Sequence, residues 1–386
     1  MRVTNSSYYR NFTNSINDVH GRLNKSMNKV SSGKAYEKAS DNPLAYYEGK
    51  KIDNQYQDTL SKLGLITNVK NRLYQQELGA RSIQNRLSEA KKKIEYVRSD
   101  SNNSDMQIVQ TVRDDLLQKQ QKQQSMVNDL NAQYQNNYIF GGSDTTTPPF
   151  TLSADGRELT FSHTFAGDDY VTTMKMTLEE SGGTYQYSFS GFTDDPRRPM
   201  DADETLDNIV KAMRETGYMD VGYGNISEPD TLLDTNTGGL NLITGLSAGA
   251  MNAMSDSQAK DEVIKRLNNS PVALVGKAVI ASDNYIGGGS REDFSSALGT
   301  VMDTMTDTEH SVSTVYSDLG NKYSLLESTE EKLTTIKLAL TEQYKEKLGA
   351  DPYEAITEMF SYQQSYNAAL RVGSNMMSSS LFDFVK

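Results

Sequence analysis

Five stretches of the chain place apolar residues at alternating steps of three and four. The first takes Phe12, Ile16, Val19, Leu23, Ser26 and Val30. The second takes Ile66, Val69, Leu73, Gln76, Ala80, Ile83, Leu87, Ala90, Ile94 and Val97, with one polar member and no slip in spacing. At 1.5 Å per residue this stripe is about 50 Å long. A third, weaker run takes Val109, Val112, Leu116, Lys119, Gln123, Met126 and Leu130. Two more follow far along the chain. One runs Val312, Val315, Leu319, Lys322, Leu326, Thr329, Leu333, Ile336 and Leu340; the other runs Ile356, Met359, Gln363, Tyr366, Leu370, Gly373, Met377, Ser380 and Phe384. Such spacing predicts long helices that turn one apolar seam toward a partner helix.

The helix breakers lie elsewhere. Of eight prolines, six fall between Pro148 and Pro271, and 19 of the 27 glycines fall in 141–300. The flanks, about 1–140 and 301–386, are therefore expected to be long helices, and the middle to hold turns, strands and some helix. Each flank needs a partner for its seam, which predicts that the two pack on each other as an antiparallel hairpin. The expected class is mainly α with an inserted β or α+β region, built on a long antiparallel coiled-coil bundle from both chain ends. The expected divisions are an N-terminal inner-core helix at 1–40, a long-helix bundle at 41–144, a β-rich insert at 145–200, a mixed insert at 201–300, a returning helix at 301–349 and a C-terminal inner-core helix at 350–386.

Local signals punctuate this plan. Gly33 in Ser31-Ser32-Gly33-Lys34 offers a left-handed C-cap to the first helix. Ser40-Asp41-Asn42-Pro43 offers an N-cap to the second. The polar stretch from Ser99 to Asp105 is expected to be a hinge, and Gly141-Gly142 to stop the third helix. From Thr151 to Phe192 the pattern reads as strands, with turns at Asp155-Gly156 and Gly182-Gly183; Tyr185, Tyr187 and Phe189 alternate with polar residues. Leu206–Met213 and Ala259–Leu267 read as helices. The apolar run Val272–Ala281 fits either element.

Composition narrows the function. The 386 residues carry 39 Lys+Arg against 51 Asp+Glu, a net charge of -12, which argues against a nucleic-acid binder. There are no cysteines, so disulfides and thiolate chemistry are excluded. Hydrophobic residues make up 36% and the mean hydropathy is -0.63, which predicts an elongated protein with much surface per residue. No basic segment followed by an apolar run opens the sequence, so no cleavable signal is expected. No window of about 18 apolar residues occurs, so no membrane helix is expected either. The chain is then cytoplasmic, or exported by a route that cleaves no signal.

Chemistry is sparse. The Gly-Lys pairs at Gly33, Gly49 and Gly276 lack the rest of a phosphate-binding loop. Gly217, Gly222 and Gly224 do not make a dinucleotide fingerprint. His20, His163 and His310 are too scattered to suggest a metal site. The acidic pairs Asp168-Asp169, Glu179-Glu180, Asp194-Asp195 and Glu330-Glu331 read as solvated turns and edges. The expectation is a protein without catalysis, cofactor or metal.

Four motifs, taken in order, carry a resemblance. They are Ser31-Ser32-Gly33-Lys34 with Ala39-Ser40-Asp41-Asn42-Pro43; Tyr138-Ile139-Phe140-Gly141-Gly142-Ser143 with Pro148-Pro149-Phe150; Asp318-Leu319-Gly320-Asn321-Lys322 with Leu326-Glu327; and the closing Ser378-Ser379-Ser380-Leu381-Phe382-Asp383-Phe384-Val385. Together they resemble the bacterial flagellin superfamily, and within it the FlgL-type hook-associated proteins of the hook–filament junction. The aromatic exit before Gly141 and the Asp-Phe near the last residues favour that branch over the flagellins. Asn42 departs from the family, which often has a second aspartate there.

The resemblance implies an extracellular structural protein of the flagellum, exported through the flagellar type III channel. It implies assembly into a ring through terminal helices that order on polymerisation. The residues that would carry assembly here are Phe12, Ile16, Val19, Leu23 and Val30 with Tyr366, Leu370, Met377, Leu381 and Phe384. Ser26 and Gln363 would set register as polar members of the seam. The implied partners are copies of itself, another hook-associated protein, flagellin and a flagellar export chaperone, with no nucleic acid and no membrane. Two alternatives stand beside this reading: a flagellin forming the filament, and a coiled-coil signalling or adhesive protein with a ligand-binding middle.

Overall fold

The computed structural model describes residues 5–99, 101–117, 122–181, 184–221 and 232–384. It is mainly helical, with small antiparallel sheets. Two compact units form, one from residues 1–65 with 331–386 and one from residues 66–330. Two long helices, α2 (Pro43–Arg98) and α10 (Arg291–Leu348), give one part to each.

In the unit of 1–65 and 331–386, α1 (Asn5–Ser32) lies antiparallel against α11 (Pro352–Phe384). The pairing order is read from the Ser26 hydroxyl donating to the Ala355 carbonyl at 3.3 Å, Lys29 meeting Glu358 at 3.1 Å, and the His20 and Tyr366 rings at 5.3 Å. α1 ends where the sequence predicts: Gly33 takes φ +67 and its N–H reaches the Lys29 carbonyl at 2.9 Å. α2 then starts on Asn42, whose side chain accepts from the Ala45 N–H at 3.1 Å, with Pro43 as first helical residue. Where α10 closes, Leu348 packs against Gly49 of α2, and Lys347 pairs with Glu48.

In the unit of 66–330 the α2 stripe forms a core. All its members from Ile66 to Val97 are buried except Val69, which is half-buried. Part of α10 runs antiparallel to it. Lys70 and Thr67 bond Glu330, while Lys91 reaches Thr306 and Glu309. On α10 the predicted seam is buried in this unit at Val312, Leu319, Leu326 and Thr329, with Val315 and Lys322 half-buried; in the other unit Leu333 and Leu340 are buried and Ile336 is exposed. The third run becomes two helices, α3 (Met106–Leu117) and α4 (Lys122–Leu130); Lys119 falls outside the described residues.

The glycine pair does not stop the third helix. α4 ends at Leu130, and a minimal hairpin, β1 (Gln133–Tyr134) with β2 (Asn137–Tyr138), comes before Gly141. Its two central residues, Gln135 and Asn136, both have positive φ, the geometry that matches the twist of a two-residue hairpin. The glycines serve the segment after it. Gly142 has φ +75, and a Cβ on Gly141 would come 1.9 Å from the Asp144 carbonyl. Phe140 and Phe150, from the aromatic exit motif, are both fully buried.

The β region is a five-stranded meander in sequence order: β3 (Phe150–Leu152), β4 (Glu158–His163), β5 (Thr172–Ser181), β6 (Thr184–Thr193) and β7 (Pro199–Met200). The Asp155-Gly156 turn joins β3 to β4, while Gly182-Gly183 lies outside the described residues. On β5, Thr172, Met174, Met176 and Leu178 are buried and their neighbours are not, which is the period of a sheet with one face in a core.

Residues 201–300 are more helical than the glycines suggest. They hold α5 (Ala202–Met213), α6 (Gly239–Thr244), α7 (Ala248–Asn252), α8 (Asp256–Asn268), α9 (Pro271–Ile286) and the start of α10, with one small hairpin of β8 (Tyr218–Asp220) and β9 (Leu232–Asp234). The run that fits either element is α9. Ser270 caps it and Pro271 is its first residue. From Val272 to Ala281 it is apolar and buried except at Lys277, with α3, α4, α8 and β5 against it.

Candidate assembly surface and the buried polar groups

The sequence-derived assembly residues gather on the α1–α11 pair. Phe12, Ile16, Val19 and Leu23 are half-buried on the α1 face toward α11, and Val30 is exposed. Tyr366 is half-buried on the facing side. Gly373 is buried because Phe12 lies on it: a Cβ there would come 2.7 Å from the ring. Met377, Leu381 and Phe384 lie on the α11 backbone, and their side chains are outside the described residues.

The α11 stripe is not one face. Met359, Tyr366 and Gly373 turn inward with Ala355, Tyr362 and Ala369, whereas Ile356, Gln363 and Leu370 turn outward. Gln363 is exposed on the outward side, whereas Ser26 on α1 is 2% exposed and donates to the Ala355 carbonyl. The physical reason is that α11 carries two adjacent apolar rows, and a single three–four pattern drawn through both takes members from each. The outward row is Ile356, Phe360, Gln363, Asn367 and Leu370, again in steps of four and three. Its apolar members stay 41%, 55% and 45% exposed.

No metal-binding group of His, Cys, Asp or Glu occurs among the described residues, and no helix there is long and apolar enough to cross a membrane. Three buried polar sites stand out in the unit of residues 66–330. In the first, His163 at the end of β4 is 1% exposed, stacked on Phe161 and edge-on to Phe165. Its Nε2 lies 3.1 Å from Glu215 Oε2, which also accepts from the Ser143 hydroxyl at 2.5 Å. Burial pushes the Glu215 carboxyl up, but the bonds to His163 and Ser143 outweigh it and hold the group below its ordinary value. Serine and histidine thus meet on one carboxylate oxygen. A nucleophilic serine needs the histidine on its own oxygen, so this arrangement ties three chain segments together without activating Ser143.

Beside it, Asp144 caps the loop after Gly142. Its Oδ1 accepts from the Thr146 and Thr147 N–H groups at 2.9 and 3.1 Å, and its Oδ2 from the Thr164 N–H at 2.9 Å. Burial raises this carboxyl, but the bonds from Thr147 and Thr146 hold it well below the usual carboxylate range. Gln76, the polar member of the α2 stripe, works similarly. It is 1% exposed, and its amide donates to the carbonyls of Ile139 at 2.5 Å and Thr237 at 3.1 Å. Both contacts cross long stretches of sequence, so no local pattern announces them.

No protein-family model matches the chain, and no curated protein matches it. Among solved structures it is similar to a chain of Vibrio parahaemolyticus provisionally described as a flagellar hook-associated protein, at 10% identity and a TM-score of 0.47, over 80% of this chain and 100% of that one. A likeness at that level assigns neither a fold nor a function.

Proposed function

We propose that this chain is a structural subunit of the bacterial flagellum, a ring-forming adaptor between hook and filament. It acts by helix–helix packing, without catalysis and without a cofactor. The observation that carries the reading is the α1–α11 pair. Its helices meet along stripes that stay half-buried, and α11 leaves a second apolar row uncovered. Two helices packed on one face cannot build a closed core, so the remaining apolar surface calls for neighbours. Copies of the same chain supply them with no further component. The four motifs that resemble the flagellin superfamily support the same reading, as does the absence of cysteine in a chain that would travel unfolded.

In this reading the proposed partners are copies of the chain, another hook-associated protein, flagellin and an export chaperone. The place is the extracellular flagellum, reached by flagellar type III export. Deletion of the gene, followed by electron microscopy of cells and medium, tests it. Hooks left on cells with unassembled flagellin in the medium are expected. Loss of one filament type would make the chain a flagellin. Normal flagella would overturn the reading and bring forward a coiled-coil signalling or adhesive role. Truncation of residues 1–30 or 360–386 is expected to abolish hook–filament attachment.

A further inference from the structure

The unit of residues 66–330 contains a groove of about 920 Å³ between the β5–β6 ends, α8, α9 and the first turns of α10. Leu274, Ala281, Phe294 and Val301 give it buried apolar walls. One cation enters from α9, otherwise apolar in this stretch: Lys277, which is half-buried. Its ammonium donates to the Asn268 carbonyl at 2.8 Å, and no carboxylate among the described residues pairs with it. An ammonium has three donors, so two remain for something else. Burial alone lowers Lys277 to about 8. A cation taken partly out of water is ordinarily paired, and here the counter-charge is missing.

The surroundings limit what can supply it. The charged side chains at the mouth are Glu180 beside the β5–β6 turn, Asp261 and Lys265 on α8 and Asp293 on α10, all exposed. Tyr185 and Tyr285 are the other titratable groups lining it. Three acids against one lysine at the rim disfavour a doubly charged anion such as phosphate, and no arginine lines the groove to hold one.

We propose that this groove binds a small organic monocarboxylate with an apolar body, its carboxylate on the Lys277 ammonium and its body against Leu274 and Phe294. The pairing favours charged lysine. Binding is therefore strongest below the lysine's own value and weakens as pH rises past about 8.

Calorimetric titration of the full chain tests this, with 4-phenylbutyrate as probe and 4-phenylbutyramide and inorganic phosphate as comparisons. Saturable binding of the carboxylate is expected near pH 6.5, with a dissociation constant on the order of 1 mM. The amide and phosphate are expected to bind at least tenfold more weakly, and the carboxylate likewise near pH 9.5, where the lysine is neutral. Lys277→Gln should lose the binding and Lys277→Arg should keep it. Ala297→Trp, at an exposed lining position, should block the groove with Lys277 intact. Equal affinity for the amide, or unchanged binding in both Lys277→Gln and Ala297→Trp, would overturn the proposal. So would the absence of saturable binding to the parent chain.

Discussion

The outward row of α11 gives the sharpest test of the assembly reading. Replace Ile356, Phe360 and Leu370 together by alanine. Alanine keeps helix propensity, and the three side chains are 41%, 55% and 45% exposed, so the isolated subunit should keep its helix content. Burying such a side chain completely contributes about 1.5–3 kcal/mol, and roughly half of that remains to be gained at each position. Three positions give about 3 kcal/mol per contact between copies, which is roughly a hundredfold in the association constant. Sedimentation velocity across a concentration series measures it, with circular dichroism as the check on folding. The triple variant should need on the order of a hundredfold higher concentration to assemble. Assembly at the parent's concentration would refute the reasoning, because the row would then touch nothing. Loss of helix in the dilute subunit would refute it differently, by showing that the row already supports the monomer.

Two further outcomes follow from buried groups and a third from a helix cap. Gln76→Leu should destabilise the protein by about 1–3 kcal/mol in urea unfolding with an unchanged slope, since the Ile139 and Thr237 carbonyls lose their donor. Asp144→Asn should cost about 1.5–3 kcal/mol near neutral pH through its charge-assisted bonds. Because the folded-state value of Asp144 is depressed, its contribution is full above the unfolded value of about 4 and is lost as pH falls below it. The variant's penalty should therefore shrink on acidification, and unfolding curves at several pH values check the sign. Gly33→Ala should cost about 1–2 kcal/mol, read as a lowered melting temperature, because φ +67 is strained for any residue with a Cβ.

The α2 stripe was legible because its apolar residues lie on one face and nearly all of them are buried there. Gly33 and Asn42-Pro43 were legible because caps are local chemistry. α11 was half legible: its seam was visible, but two neighbouring apolar rows merged into one pattern. The Gln135-Asn136 turn was missed because it takes positive φ without glycine. Val272–Ala281 could not be typed because a segment buried on almost every side shows no period, and nothing in the sequence announced the groove beside it. The His163–Glu215–Ser143 cluster had no local signal at all, being assembled by the fold from distant segments.

The spread of sequence distances has a kinetic meaning. Each strand of the meander pairs with its immediate neighbour in the chain, so the sheet closes only short loops. The contacts between Ser26 and Ala355 and between Lys29 and Glu358 span 329 residues each. Closing loops of that length is entropically costly and slow compared with a hairpin. During synthesis α1 leaves the ribosome long before its partner α11. The sheet can form while α1 still waits, so α1 spends translation with its apolar stripe uncovered. A cell making this chain faces a nascent helix that needs shielding, and the order of folding fixes which one.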